Sequence, residues 1–316
     1  MSLFSNKSGK LIVSGDSYAD ATRRENFGFQ DVWGNNIANF LESDEIFHPS
    51  NLINTANSGA GNTEIFNKTL DELIFNKNIK LVIVMWSEFQ RMDFEVDMSY
   101  EFKAGSPRNK KSSWYTEKGI QILYQNMHPI RVTNESEQGL DQWPRMTNGR
   151  ASKEPKWKWE MCKLFRERNF DSLKTGINKM LRLSFTIQEL CEKRNIPLLQ
   201  CMGTEPVIGV GGSEDRHGIL KNACEWIVDH PYFDFIDKKK FIGWPMLRPL
   251  GGFSMDNYLA KLDRARWKTT LPSDHGNEEF PSHYRISVND SHPNGRGHMA
   301  ISELMYNEYK KIYSKN

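Results

Sequence analysis

Residues 81–86, LVIVMW, are apolar without interruption. A strand with one wet face alternates apolar and polar residues, whereas a strand covered on both faces has no polar positions and belongs in a parallel sheet. This run therefore predicts the centre of an α/β sheet. Lys10–Ser14, bounded by Gly15, and residues 196–202, IPLLQCM, predict two more buried strands of the same kind. Between them the apolar spacing changes to that of helices. Residues 31–41 cluster Val32, Trp33, Ile37, Ala38, Phe40 and Leu41, and residues 63–75 cluster Ile65, Phe66, Leu70, Leu73 and Ile74. Residues 170–195 predict a long helix. Residues 297–313 predict a final amphipathic one, through Met299, Ile301, Leu304, Met305, Tyr309 and Ile312. A short segment at 52–56 supplies a further strand. The alternation of strand and helix predicts a doubly wound α/β fold with a parallel sheet.

Two long polar stretches interrupt this order, at about 92–168 and 204–286. They are expected to be large insertions in a single domain spanning 1–316, placed at the carboxyl ends of the strands, where such folds bind ligands. Of the 316 residues, 38% are hydrophobic and nine are Trp, which is enough apolar bulk for a full core and argues against disorder. The 42 basic and 40 acidic residues leave a net charge of +2, without the basic excess that a nucleic-acid partner calls for. Cys162, Cys191, Cys201 and Cys224 form no CxxC pair and predict reduced, mostly buried thiols. The first residues lack the apolar core of a signal peptide, and no stretch approaches the roughly 18 apolar residues of a membrane span. The expectation is a soluble, cytoplasmic protein with no membrane partner, with later export or association with a virus particle left open.

The chemistry concentrates at two distant segments. Ser17 follows Gly15 and Asp16 directly after the first strand, a strand-to-helix junction that would project its hydroxyl at the sheet's carboxyl edge beside helix amides. A hydroxyl becomes nucleophilic only with a base within hydrogen-bond reach. That base is offered by Asn289-Asp290-Ser291-His292-Pro293, where one tight loop can present an imidazole together with the carboxylate that orients it. Alone, Ser17 reads as a helix cap and His292 as a loop histidine; the pairing is what points to catalysis.

Three segments, SGDSYAD at 14–20, NTANSGAGN at 54–62 and DSHPNGRGH at 290–298, make the chain resemble the SGNH/GDSL hydrolase family. The resemblance covers residues 10–91 and 286–313; the insertions match nothing. It implies a flavodoxin-like three-layer α/β/α sandwich, no metal or organic cofactor, and hydrolysis of esters and thioesters, acetyl groups on sugars included. It implies Ser17 as nucleophile, His292 as base, and Gly59 as a donor of the oxyanion hole beside the Ser17 amide, with Asn54 in the family's Asn position. Two departures stand out. The family's third block reads Gly-x-Asn-Asp after a buried strand, and Glu88 stands here at its Asn. A carboxylate donates to an oxyanion only when protonated, so Asn62, Ser87 or Arg91 are the candidates to replace that donor. In the last block the acid usually lies three residues before the His, where Asn289 stands. Asp290, two before, is the expected partner, because Asn cannot stabilise imidazolium charge.

Trp86, Ser87, Glu88 and Arg91 flank the expected pocket and are candidates for substrate binding. Trp86 reads either as core or as a ring lining a sugar or acyl site. Glu88 and Arg91 read either as an ion pair or as an arginine that binds an anionic group. Residues 150–168 interleave basic residues with Trp157, Trp159 and Phe165, which suits a solvated amphipathic insertion better than a polyanion site. Glu214, Asp215 and His217, and the DHGN at 274–277, carry metal-ligand types without a metal-ligand spacing. GVGG at 209–212 lacks the context of a phosphate cradle, and His298 is expected to pack or cap in the last helix. The expected function is a serine hydrolase acting on an O-acyl or carbohydrate acetyl ester, with a small-molecule or glycan ester as its partner. A non-catalytic binding or assembly module on the same scaffold, and an O-acyltransferase, are the competing readings. Because a free imidazole titrates near 6.5, activity is expected to fall below about pH 6.

Overall fold

A computed structural model describes residues 9–21, 33–43, 48–89, 91, 168, 172–207, 218–267, 283–287 and 290–313. Its core is a five-stranded parallel sheet in the order β2-β1-β3-β4-β5. The strands are β1 (Lys10–Ser14), β2 (Leu52–Asn54), β3 (Ile79–Trp86), β4 (Leu198–Met202) and β5 (Phe241–Ile242). This is the flavodoxin-like order, in which the direction of winding reverses beside β1. The continuous apolar run of β3 has its predicted cause, since all eight of its residues but Lys80 are buried. It lies between β1 and β4, pairing Ile83 with Val13 on one side and with Leu199 on the other.

Alternation sends successive residues of each strand to opposite faces, and two helical layers cover them. On one face Ile12, Val82, Val84, Trp86 and Leu198 pack against α2 (Asn62–Phe75), α3 (Leu173–Lys193) and α4 (Ile219–Val228). On the other, Leu11, Val13, Ile83, Met85 and Cys201 pack against α1 (Trp33–Ser43), α5 (Met255–Trp267) and α6 (Gly295–Tyr313). The molecule is thus an α/β/α sandwich. Along α3 the buried positions Leu173, Ile177, Met180, Leu181, Ser184, Ile187 and Cys191 follow the helical period, and the Ser172 hydroxyl caps the helix by accepting from the Thr175 amide at 3.1 Å. The last helix differs at one position from its expected apolar face. Met299 is 40% exposed, and the buried stripe runs instead through Ala300, Ile301, Met305 and Tyr309.

The expected insertion at 204–286 contains α4, β5 and α5. β5 is only two residues long, too short for any period, and its placement depends on tertiary bonds. The buried Gln188 side chain of α3 accepts from the Asp237 amide and donates to the Phe235 carbonyl, and the Gln200 amide of β4 donates to Lys240. At Ser17 the expected helix start is a turn: residues 17–19 are closed by the Ala19 amide on the Asp16 carbonyl at 3.0 Å. The segment 92–167 lies outside the described residues, as do Glu214, Asp215, His217, the GVGG stretch and residues 274–277. No helix among the described residues is long and apolar enough to cross a membrane. Cys191 and Cys201 are free and buried, and burial pushes the Cys191 thiol up to about 12.

Candidate active site

The sheet's carboxyl edge gathers the segments that sequence separates by most of the chain. β1 ends at Ser14, whose hydroxyl donates to the Ile65 carbonyl of α2, and the chain turns through Gly15 and Asp16 to present Ser17. The segment after β2 is strapped to this turn. Asn54 donates from Nδ2 to the Ala19 carbonyl, the Asn57 amide donates to the Gly15 carbonyl, and Asp20 accepts from both the amide and the hydroxyl of Ser58. The Ala60 amide closes a turn on Asn57, and Gly59 within it has φ 88°, a left-handed conformation that glycine adopts without a Cβ clash.

His292 arrives from the other end of the chain on a loop that is tied down at several points. Arg285 and Pro293 form an antiparallel bridge, the Ile286 amide donates to the His292 carbonyl, and Asn294 Nδ2 donates to the carbonyls of His283 and Arg285. Buried Asp263 of α5 anchors the loop's entry. Its Oδ1 accepts the amides of His283 and Tyr284, and its Oδ2 accepts from Arg285 Nε at 3.0 Å. Asp263→Ala leaves two backbone amides and the Arg285 guanidinium without that acceptor. We expect a loss of about 2–3 kcal/mol of stability, read as a shift in the denaturation midpoint, with a fall in any turnover that depends on His292.

Ser17 Oγ lies 2.7 Å from His292 Nε2, and His292 Nδ1 lies 2.5 Å from Asp290 Oδ1. Because an ionised carboxylate only accepts, Nδ1 carries the proton, and Nε2 is left to accept from the Ser17 hydroxyl. Asp290 Oδ1 also accepts the His292 amide at 3.1 Å, and the Asp290 amide donates to Ser287 Oγ. The carboxylate is therefore fixed on its own backbone before it meets the ring. Tyr18 supports the imidazole from the side. Its ring centroid is 5.0 Å from that of His292, and its hydroxyl donates to the Ser291 carbonyl at 2.9 Å. Ser17 is 6% exposed, and the His292 side chain 25%.

The candidates around β3 take other places. Trp86 is fully buried in the core, with Nε1 donating to Gln200 Oε1 at 2.8 Å; a ring with no exposed face stacks on no ligand. Arg91 is 5% exposed and is paired with Glu88 at 2.6 Å and Asp16 at 3.2 Å, so the ion-pair alternative describes it. Ser87 is buried, its hydroxyl 2.8 Å from Asp16 Oδ2 and 2.7 Å from Glu88 Oε2. Asn62 donates from Nδ2 to the carbonyls of Ser87 and Glu88 and accepts the Ser87 amide. These bonds hold the loop after β3 and occupy the side chain that had been the first candidate for a third oxyanion donor. His298 is buried, and its Nδ1 accepts from the Trp33 amide. Among the described residues no group of three or more His, Cys, Asp or Glu could hold a metal ion.

The sequence reading missed the Asp263 anchor and the role of Asp16. Asp263 sits in a helix of ordinary polar pattern, with nothing local to set it apart. Asp16 carried a signal in its place next to Ser17.

No family model matches the sequence, and no curated protein matches it. The chain is similar to the crystal structure of an acetyl xylan esterase, with 13% identity, 94% of this chain and 98% of that chain covered, and a TM-score of 0.39.

Proposed function

We propose that this chain is a serine esterase of the SGNH/GDSL kind, with Ser17 as nucleophile, His292 as general base and Asp290 as the carboxylate that orients and stabilises the imidazole. The relay from Ser17 Oγ to His292 Nε2 and from Nδ1 to Asp290 carries this reading. Three side chains from two motif segments stand in hydrogen-bond succession, on loops held by bonds of their own. In the reaction, Nε2 takes the Ser17 proton as Oγ bonds to the ester carbonyl carbon. The resulting oxyanion is met by the amides of Ser17 and Gly59. His292 then returns the proton to the departing alkoxide, leaving an acyl-enzyme, and water repeats the sequence to release the acid. An O-acyl or carbohydrate acetyl ester is the proposed substrate class.

One observation favours a second reading, a binding or assembly module that keeps the scaffold. The position that supplies an amide donor in the family holds Glu88, and Glu88 is committed to Arg91. An oxyanion hole short of one donor turns over roughly 10² to 10³ times more slowly, so weak catalysis is the expected signature of the esterase and none is that of the module. Labelling with a fluorophosphonate separates them: modification of wild type at Ser17 is expected, and an unlabelled folded chain would favour the module. Product analysis with and without a sugar acceptor separates hydrolysis from acyl transfer.

Asp290→Asn tests the choice of acid. An amide at that position can donate to Nδ1 and favour the tautomer with its proton on Nε2, the wrong one for taking the Ser17 proton. We expect kcat to fall about 10² to 10⁴-fold with KM little changed. An unchanged kcat would move the acid's role elsewhere.

A further inference from the structure

Next to the nucleophile, four side chains form a buried polar cluster: Asp16, Ser87, Glu88 and Arg91, none more than 5% exposed. Its hydrogen count does not work with both carboxyl groups ionised. Ser87 has one hydroxyl proton, yet Oγ lies within hydrogen-bond distance of Asp16 Oδ2 and of Glu88 Oε2. If both were carboxylates, one of the two contacts would set lone pair against lone pair away from water. Among the described residues the charge count fails in the same way, since one guanidinium would face two anions in a buried site. A single proton resolves both.

The distances indicate where it sits. Arg91 holds Glu88 Oε2 at 2.6 Å and Asp16 Oδ2 at the longer 3.2 Å, so Glu88 is the ionised partner. Asp16 Oδ1 accepts the Tyr18 amide at 3.0 Å, a bond that the carbonyl oxygen of a neutral acid also makes. We propose that Asp16 is a neutral carboxylic acid that donates from Oδ2 to Ser87 Oγ, which in turn donates to Glu88, and that Asp16 so acts as a positioning residue for Ser17. The arrangement fixes the turn that carries the Ser17 amide and keeps a second negative charge away from a site where an oxyanion must form. Burial raises the Asp16 carboxyl, Arg91 opposes that, and Glu88 adds to it. The other ionisable groups that described residues bring against Asp16 are the Cys201 thiol of β4 and the Tyr18 phenol, both pushed up by burial and so neutral. Gly203 closes the remaining side: a Cβ there would lie 3.4 Å from Asp16 Oδ1.

The kinetic part of this inference rests on the esterase reading; the protonation itself does not, and the test keeps them apart. In the full chain, Asp16→Asn removes the titrating proton and keeps two of the neutral acid's bonds, Nδ2 donating to Ser87 and Oδ1 accepting the Tyr18 amide, while losing the one that Oδ2 accepts from Arg91. Glu88→Gln removes the anion that balances Arg91. The infrared spectrum of wild type at neutral pH is expected to contain a deuterium-sensitive carboxylic-acid C=O band that D16N lacks. The sign of the pH effect follows from the raised carboxyl. Its contribution to stability is complete below the unfolded-state value and is lost as pH rises through the folded-state value. Wild type should therefore lose thermal stability as pH rises from the unfolded-state to the folded-state value while D16N does not. Any esterase activity of D16N should stay within the roughly 10² to 10³-fold that losing one oxyanion donor costs, and E88Q should lose more or fail to fold. Absence of the acid band in wild type would overturn the proposal. So would a folded, active E88Q beside an unfolded D16N, which would put the proton on Glu88. A chain with the band but no esterase activity would keep this inference and sink the proposed function.

Discussion

Ser17→Ala and His292→Ala are each expected to lower turnover of an activated ester by roughly 10⁴-fold or more, and neither should disturb the fold. Ser17→Ala removes only an oxygen from a turn whose backbone bonds come from Asp16, Ala19 and the segment after β2. His292→Ala removes a ring held by Asp290 and Tyr18, but the loop keeps its ties through Asp263 and Asn294. The two losses belong to one relay, so the double variant should be hardly slower than either single one. That non-additivity separates the relay from two independent contributions. Multiplicative losses, or a folded S17A that keeps the wild-type rate, would remove Ser17 from the chemistry. Melting temperatures measured alongside should stay within a few degrees of wild type.

The sheet was readable because strands buried on both faces leave a local mark. Residues 81–86 could be nothing polar, and β3 occupies the middle of the sheet between β1 and β4. Helices α2, α3 and α6 were readable for the same reason, their buried stripes recurring at 3.6 residues. β5 left no such mark. Two residues have no period, and what holds Phe241 and Ile242 in place is the strand β4 beside them and the bonds from Gln188. At the site, motif residues carried the information. Ser17, Asp290 and His292 belong to two motif segments, and the fold brings them into hydrogen-bond succession. Around β3 the residue types were visible but their direction was not. Trp86, Ser87, Glu88 and Arg91 surround the end of a strand, and all four are buried because of what packs over them. Glu88 and Arg91 illustrate the limit, since i,i+3 spacing allows their pairing but does not announce the third partner, Asp16.

Trp86→Ala should be the most damaging single substitution for stability at this edge of the sheet, costing about 3–5 kcal/mol. The ring is fully buried on the face packed by α2 and α3, and its removal leaves a cavity at the last residue of β3 that a central, paired strand cannot close by moving. A second loss adds to the first. Gln200 Oε1 accepts from Trp86 Nε1 at 2.8 Å and from Ser184 Oγ at 2.9 Å, so the variant strips one of two donors from a buried carbonyl. Trp86→Phe separates the terms. It retains most of the ring volume and loses the N–H, and should cost about 1–3 kcal/mol, less than the alanine change. Because Ser87 follows directly and joins the cluster under Ser17, catalytic loss should track the stability loss across the two variants. Denaturant unfolding with kcat measured on the same samples checks the order. Had Trp86 lined a substrate site, as its type allowed, the alanine variant would keep its stability and show its defect in KM; a large midpoint shift in denaturant is the outcome that the buried ring requires.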